Sequence, residues 1–292
     1  MGLRTLDQWF ASRGWSPFAF QREAWSAYLA GESGLIHAPT GLGKTQAAWG
    51  GALLEWFDEV ERGEASARKK PNGLRVLWIT PLRALANDTA ESLRAPVEDM
   101  NLPWTVELRT GDTSSSIKLR QRTKPPTALV TTPESLSVLL SYDNARELFG
   151  DVRLVVMDEW HELLGNKRGV QAQLGLASVV AMSPKLRIWG LSATLGNLEE
   201  AMRVLLGTFV PRDKHRMIHA QEPKTIEIET LRPDDLDRFP RAGHLGTKLL
   251  PQVVGQIQRA KTTLIFTNTR SQAEIWFQSL LHADPDLLGA LA

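Results

Sequence analysis

Eight residues, Ala38-Pro39-Thr40-Gly41-Leu42-Gly43-Lys44-Thr45, have the types and spacing of a phosphate-binding loop. In that arrangement loop N–H groups and a helix N-terminus face a polyphosphate, Lys44 reaches the outer phosphates, and the Thr45 hydroxyl ligates Mg²⁺. Ala38 stands where the usual pattern has its first glycine. A second candidate group is Asp158-Glu159-Trp160-His161, directly after the apolar run Leu154-Val155-Val156-Met157. A carboxylate at such a strand end can hold Mg²⁺ opposite Thr45, and its neighbour can orient a water. Asp158 is therefore the expected metal residue and Glu159 the expected general base, with Lys44 completing the catalytic set. His161 is expected to couple this site to something else, and Trp160 to pack on the opposite side. Ser192-Ala193-Thr194 follows another apolar run, where the hydroxyls of Ser192 and Thr194 can bond to the acidic loop.

These groups need a scaffold that brings loops together. Leu35 to Ala38 reads as a buried strand, and residues 44–58 carry apolar side chains at helical spacing. Strands are expected at 74–79, 106–108, 128–130, 154–157 and 186–191, with helical patterns at 82–99, 134–140, 161–182 and 197–206. Such alternation predicts an α/β fold with a parallel sheet covered on both faces, and ligands at the carboxyl ends of the strands. Upstream, residues 3–30 read as helical around a turn at 14–17. Within them Phe18 to Arg22 places an aromatic beside Gln21, a pairing suited to stacking on a base and reading its edge.

Residues 207–248 shift toward proline and charge, and 225–230 alternate as a half-exposed strand. After Leu249 the strand and helix rhythm returns once, with a strand expected at 264–267 and a helix from Ser271. The expected division is 1–210 for the first domain, 211–248 for a linker, and 249–292 for the start of a second domain.

Composition narrows the classes. Net charge is +1, with 42% hydrophobic and 23% charged residues, so any polyanion contact must come from local patches. Without cysteine there are no disulfides, thiolate metal sites or iron–sulfur clusters. No apolar run reaches membrane-spanning length, and a cytoplasmic protein with no membrane partner is expected. The local patch is a rim of strand ends: Thr80 to Arg83, Arg109 to Asp112, and Thr131 to Leu136. Arg109, Lys118, Arg120, Arg122 and Lys124 give five positive charges against Asp112 alone, which suits the tracking of a nucleic-acid backbone. For any one of these stretches the competing explanation is a helix cap.

Taken in order, AxxGxGKT, TPxxAL, TGD, TTPESL, DExH and SAT, with Gln21 upstream and LIFTNTR downstream, resemble superfamily 2 helicases of the DEXH-box type. The stretches 158–169, 109–113 and 131–136 look like the large-helicase-related family, and the N-terminal segment is similar to its bacterial ligase-associated DNA helicases. The resemblance implies RecA-like P-loop domains that use ATP and Mg²⁺ to move along single-stranded DNA or a 3′-tailed duplex, in DNA repair, with a ligase as one partner. It assigns adenine reading to Gln21, phosphates to Ala38 through Thr45, and coupling to His161, Ser192 and Thr194. Thr80, Arg83, Thr132 and Arg270 are placed near the strand, joining Arg109 and Thr131 on the rim. Motifs that supply arginine fingers do not follow by Ala292. Because such a finger is worth roughly 10³–10⁵ in rate, the expectation is an N-terminal fragment that binds ATP and hardly hydrolyses it. An RNA helicase, or a nucleic-acid-binding module without motor activity, are the alternatives.

Overall fold

A computed structural model describes residues 2–67, 69–221, 227–232 and 249–285. They fall into two units, Met1–Glu222 and Pro223–Ala292.

The first unit is built on a seven-stranded, wholly parallel sheet of order β3-β4-β2-β5-β6-β1-β7. The strands are β1 (Ser33–His37), β2 (Val76–Ile79), β3 (Val106–Arg109), β4 (Ala128–Thr131), β5 (Leu154–Met157), β6 (Arg187–Ser192) and β7 (His215–His219). Parallel strands covered on both faces read as continuous apolar runs, and β2, β4 and β5 are buried at every position. Alternate residues divide between two cores. Ile36, Trp78, Val156 and Leu191 face α1 (Gly2–Ser12), α2 (Ala19–Leu29), α3 (Lys44–Glu61) and α4 (Arg83–Asp99). Leu35, Leu77, Val155 and Ile188 face α6 (Pro133–Leu140), α7 (Ala145–Phe149), α8 (Trp160–Leu163), α9 (Lys167–Met182) and α10 (Leu198–Leu206). The remaining helix, α5 (Ser115–Thr123), follows β3. Since every strand runs the same way, the loops after β1 to β6 emerge on one edge, and the expected α/β architecture is the observed one.

Several boundaries differ from the sequence pattern. The helix expected over 161–182 is broken between α8 and α9, where Gly165 adopts φ +76° and Asn166 caps α9 by accepting from Gly169 N at 3.0 Å. The sheet continues past residue 210: β7, inside the expected linker, pairs with β1 from Ser33↔His215 to His37↔His219. The first unit therefore closes at Glu222 rather than 210.

In the second unit, α11 (Leu250–Arg259) and α12 (Arg270–Ala283) pack together. Residues 264–267 do not form the expected strand. A strand is stabilised by a partner's ladder, and none lies beside this run among the described residues, leaving Leu264 and Phe266 78% and 89% exposed. Thr225 and Ile226 of the other expected strand lie outside the described residues, while 227–230 have no regular structure. Among the described residues, no helix is long and apolar enough to cross a membrane.

Candidate nucleotide-binding site

The loop after β1 owes its shape to two glycines. Gly41 and Gly43 have φ of +88° and +79°, values a side chain strongly disfavours. Ala38 needs no such freedom: its φ is not positive, and its methyl group is fully buried in the core beneath α3. An alanine here is a packing solution to a position where the common pattern has glycine. Lys44 opens α3 and folds back, its Nζ donating to Ala38 O at 2.9 Å. Burial pushes its ammonium below the usual range, while the Glu159 and Asp158 carboxylates pull it back up. Thr45 is half-buried beside it, Pro39 is half-buried and Thr40 exposed.

Across the loop, Asp158 follows β5 and is 8% exposed. Its Oδ2 accepts from Trp78 Nε1 at 3.0 Å and its Oδ1 from Glu159 N at 2.9 Å, which fixes the carboxylate plane. Burial raises its carboxyl above the ordinary range, against the Trp78 hydrogen bond. Glu159 sits at φ 42°, ψ 51°, a left-handed conformation rare for a residue with a Cβ and frequent at functional sites. Its Oε2 is buried without a hydrogen bond; His161 Nδ1 lies 3.4 Å away. That same Nδ1 is 3.2 Å from Ser192 Oγ, so His161 stands between the acidic loop and the end of β6. Trp160 points the other way, buried, with Nε1 donating to Ala201 O at 2.9 Å.

Gln21, at the start of α2 and 2% exposed, accepts from Phe18 N through Oε1 at 2.9 Å. Its Nε2 donates to Gly43 O at 3.0 Å. A cleft of about 770 Å³ joins Gln21, the loop, Lys44, Thr45, Asp158 and Glu159. It continues over Trp15 and Phe18 to α4. Sequence reasoning did not find α4 as a wall of this cleft, since nothing local marks Leu85, Asp88, Thr89 and Ser92 except their common spacing on one helical face.

The rim is less uniform than its composition suggests. Arg109 is 1% exposed: its guanidinium donates to Lys118 O (3.0 Å), Gln121 Oε1 (3.4 Å) and Tyr142 OH (2.7 Å), and so cannot lie along a strand. Thr131 is fully buried, with its hydroxyl donated to Arg109 O at 2.8 Å. Both expected contacts are thus internal supports. Thr80 is also buried, and Thr132 caps α6 by accepting from Ser135 N at 3.5 Å, the competing explanation for that stretch. Arg83 remains on the surface, paired with Asp112 at 3.1 Å; Arg120 pairs with Glu107 at 2.7 Å and Lys118 Nζ donates to Gly111 O at 2.9 Å. Arg122 lies 4.0 Å over the Tyr142 ring. Thr194 is exposed and, among the described residues, makes no hydrogen bond to the acidic loop, whereas Ser192 meets His161; Arg270 is exposed at the start of α12 in the second unit.

With the phosphate loop, the carboxylate pair after β5 and the β6 serine that His161 joins to Glu159 in place, the chain matches the DEAD/DEAH box helicase family over residues 18–201. The chain belongs to this family. Among its relatives is the ATP-dependent helicase Lhr-Core of Methanocaldococcus jannaschii, 34% identical over 281 residues, which cover 93% of this chain and 32% of the relative. The Lhr helicase/uracil glycosylase of Escherichia coli is 31% identical, with 91% of this chain and 18% of that protein covered. The chain thus spans about a third or less of the length of these helicases. In structure it is similar to the Mycobacterium smegmatis helicase Lhr bound to ssDNA and AMP-PNP, at TM-score 0.74 and 30% identity, over 97% of this chain and 36% of that one. The DUF1998 helicase MrfA bound to DNA, 19% identical at TM-score 0.72, covers 95% of this chain and 38% of its own, and shows the shared fold.

Proposed function

We propose that the first unit is the ATP-binding half of a DNA translocase or helicase motor, acting on single-stranded DNA or a 3′-tailed duplex. The observation that carries this reading is the shared cleft in which Lys44, Thr45, Asp158 and Glu159 meet while His161 links Glu159 to Ser192. The backbone N–H groups of residues 41–45 and the N-terminus of α3 receive the triphosphate. Lys44 leaves Ala38 O to neutralise the outer phosphates. Glu159 is the base that orients the attacking water: its Oε2 accepts no hydrogen bond among the described residues and has the His161 ring 3.4 Å away.

Gln21 suits the reading of adenine. With one acceptor lone pair given to Phe18 N and one N–H given to Gly43 O, one donor and one acceptor remain. Adenine presents the complementary pair on its N6 and N7 edge, whereas guanine presents two acceptors.

The donor set also fits Mg²⁺. This ion uses one or two carboxylates together with substrate phosphates and waters rather than a dedicated cage. Asp158 and the Thr45 hydroxyl are such a minimal set, and no cluster of three or more His, Cys, Asp or Glu side chains suited to a metal occurs among the described residues. The ion would offset charge on the β and γ phosphates.

DNA is favoured over RNA by the similarity to an Lhr helicase whose structure is bound to ssDNA. Work in cytoplasmic DNA repair beside a ligase rests on the resemblance of the N-terminal segment alone. The decisive test is equilibrium binding of a fluorescent ATP analogue with Mg²⁺. Lys44→Ala should weaken it by about 10- to 100-fold, as expected for a charged phosphate contact, and ssDNA should tighten it more than ssRNA does. Unchanged nucleotide binding by Lys44→Ala would overturn the motor reading.

A further inference from the structure

The cleft has a wall to which the motor reading gives no task. Along α4, Leu85, Asp88, Thr89 and Ser92 follow the i, i+3, i+4, i+7 rule and all line it, a strip about 10 Å long at 1.5 Å per residue. The same cleft is lined by the aromatic side chains Trp15 and Phe18, 53% and 39% exposed. One residue joins α2, α3 and α4. Gln46, in the first turn of α3, accepts from Trp25 Nε1 of α2 through its backbone O at 3.0 Å, and its side-chain Nε2 donates to Ser92 O at 3.1 Å and Ser92 Oγ at 3.3 Å. α4 and α2 are therefore both tied to the phosphate loop's own helix.

The chemistry of the strip differs from that of the floor. Asp88 is exposed and has no ion pair or hydrogen bond within the described residues. A carboxylate next to a triphosphate cannot serve the phosphates, which Lys44 and the loop amides serve. It is the natural acceptor for two adjacent hydroxyl donors, as in dinucleotide sites where an acidic residue takes the ribose 2′-hydroxyl. Thr89 and Ser92, one and four positions on, add hydroxyls on the same face. Trp15 and Phe18 in the same cleft offer the flat apolar surface a base requires.

We infer that α4 is the sugar-recognising wall of the nucleotide cleft: Asp88 accepts hydrogen bonds from the ribose 2′- and 3′-hydroxyls while Trp15 and Phe18 cover the base, so that the site selects ribonucleoside over deoxyribonucleoside triphosphates. Asp88 is then a specificity-determining residue, and Gln46 a positioning residue acting through Ser92. This inference rests on the reading that the cleft binds a nucleoside triphosphate.

Calorimetric titration of the full 292-residue chain with Mg²⁺ and, in turn, ATP, 2′-deoxy-ATP, 3′-deoxy-ATP and inorganic tripolyphosphate tests it. The unchanged protein should bind ATP about tenfold more tightly than either deoxy analogue, the worth of a hydrogen bond to a charged group. Asp88→Ala should reduce that preference to within about twofold and leave tripolyphosphate affinity unchanged. Asp88→Asn, which keeps shape and one acceptor, should fall between. Thermal melts of both variants report whether the fold is intact. Equal affinity for ATP and the deoxy analogues in the unchanged protein, or an Asp88→Ala that weakens all four ligands alike, overturns the inference. Loss of the underlying reading looks different: ATP then binds Lys44→Ala as tightly as the unchanged chain.

Discussion

Gln21 Nε2 and Gly43 O are joined by a 3.0 Å hydrogen bond, so the residue expected to read the base also holds the last turn of the phosphate loop. A Cβ on Gly43 would come within 2.7 Å of that nitrogen, at a φ of +79° that already disfavours one. Gly43→Ala should therefore disturb base and phosphate recognition together. Gln21→Ala should weaken ATP by about tenfold yet leave tripolyphosphate within about twofold. Competition titrations with the two ligands separate these effects, and equal losses for both in Gln21→Ala would refute a base-reading role.

Ser192 and Glu159 meet through His161, whose Nδ1 lies 3.2 Å from one and 3.4 Å from the other. Removing the imidazole should leave ATP binding alone but uncouple it from nucleic acid. In His161→Ala, the ratio of ATP affinities with and without ssDNA should fall toward one, from a coupling in the usual range of about 5–150-fold. A preserved ratio would mean that the link between the sites runs elsewhere.

Arg109 makes a prediction opposite to the one its sequence neighbourhood suggests. Its guanidinium anchors α5 and Tyr142 from inside the protein. Arg109→Ala should cost about 3 kcal/mol, because buried partners lose their donor, and lower Tm by roughly 6–12 °C for a unit of this size. At temperatures where the variant is folded, ssDNA affinity should change by less than about twofold, whereas Arg122→Ala should lower both the affinity and the salt slope, by about 0.7 per phosphate contact. Filter binding over a salt series distinguishes the two.

At the amino end of β2, away from the cleft loops, Arg75 grips Glu59 with two hydrogen bonds, 2.6 and 2.7 Å, and lies over the rings of Trp56 and Trp104. Burial by itself would raise the Glu59 carboxyl, but the Arg75 hydrogen bonds and charge prevail and hold it below its ordinary 4.5. A carboxyl held low stabilises the fold above its unfolded value and ceases to do so as pH falls through the folded one. Arg75→Met should destabilise by about 3–5 kcal/mol near neutrality, and its deficit against the unchanged protein should narrow below pH 4.5. Denaturation midpoints at pH 7 and pH 3.5 give the comparison; a deficit independent of pH would assign the cost to packing alone.

Local signals carried the parts of the structure that depend on nearby residues. The phosphate loop, the apolar runs of β2, β4 and β5 and the cap at Thr132 each follow from a few consecutive side chains. What depended on distant partners was not legible. β7 is hidden because His215, Arg216 and His219 break its apolar pattern, and its ladder with Ser33–His37 joins residues some 180 positions apart. Arg109 looks like a surface cation until the folded chain brings Lys118 O, Gln121 and Tyr142 around it. The run Leu264 to Thr267 shows the converse: a good strand pattern yields no strand where no partner ladder is at hand among the described residues. The cleft itself was half visible, its floor in consecutive motifs and its α4 wall only in three dimensions.

The backbone at Glu159 bears on how this protein can be improved. A side chain held at φ 42° is carried at a cost of order 1–3 kcal/mol, which glycine would not incur. Selection for heat resistance alone should therefore favour Glu159→Gly, and the survivors would be sturdier molecules that had lost the carboxylate beside His161. If Glu159 has the proposed role, durability and function compete at this position, and a screen for a more robust variant has to assay ATP binding and its response to ssDNA alongside melting.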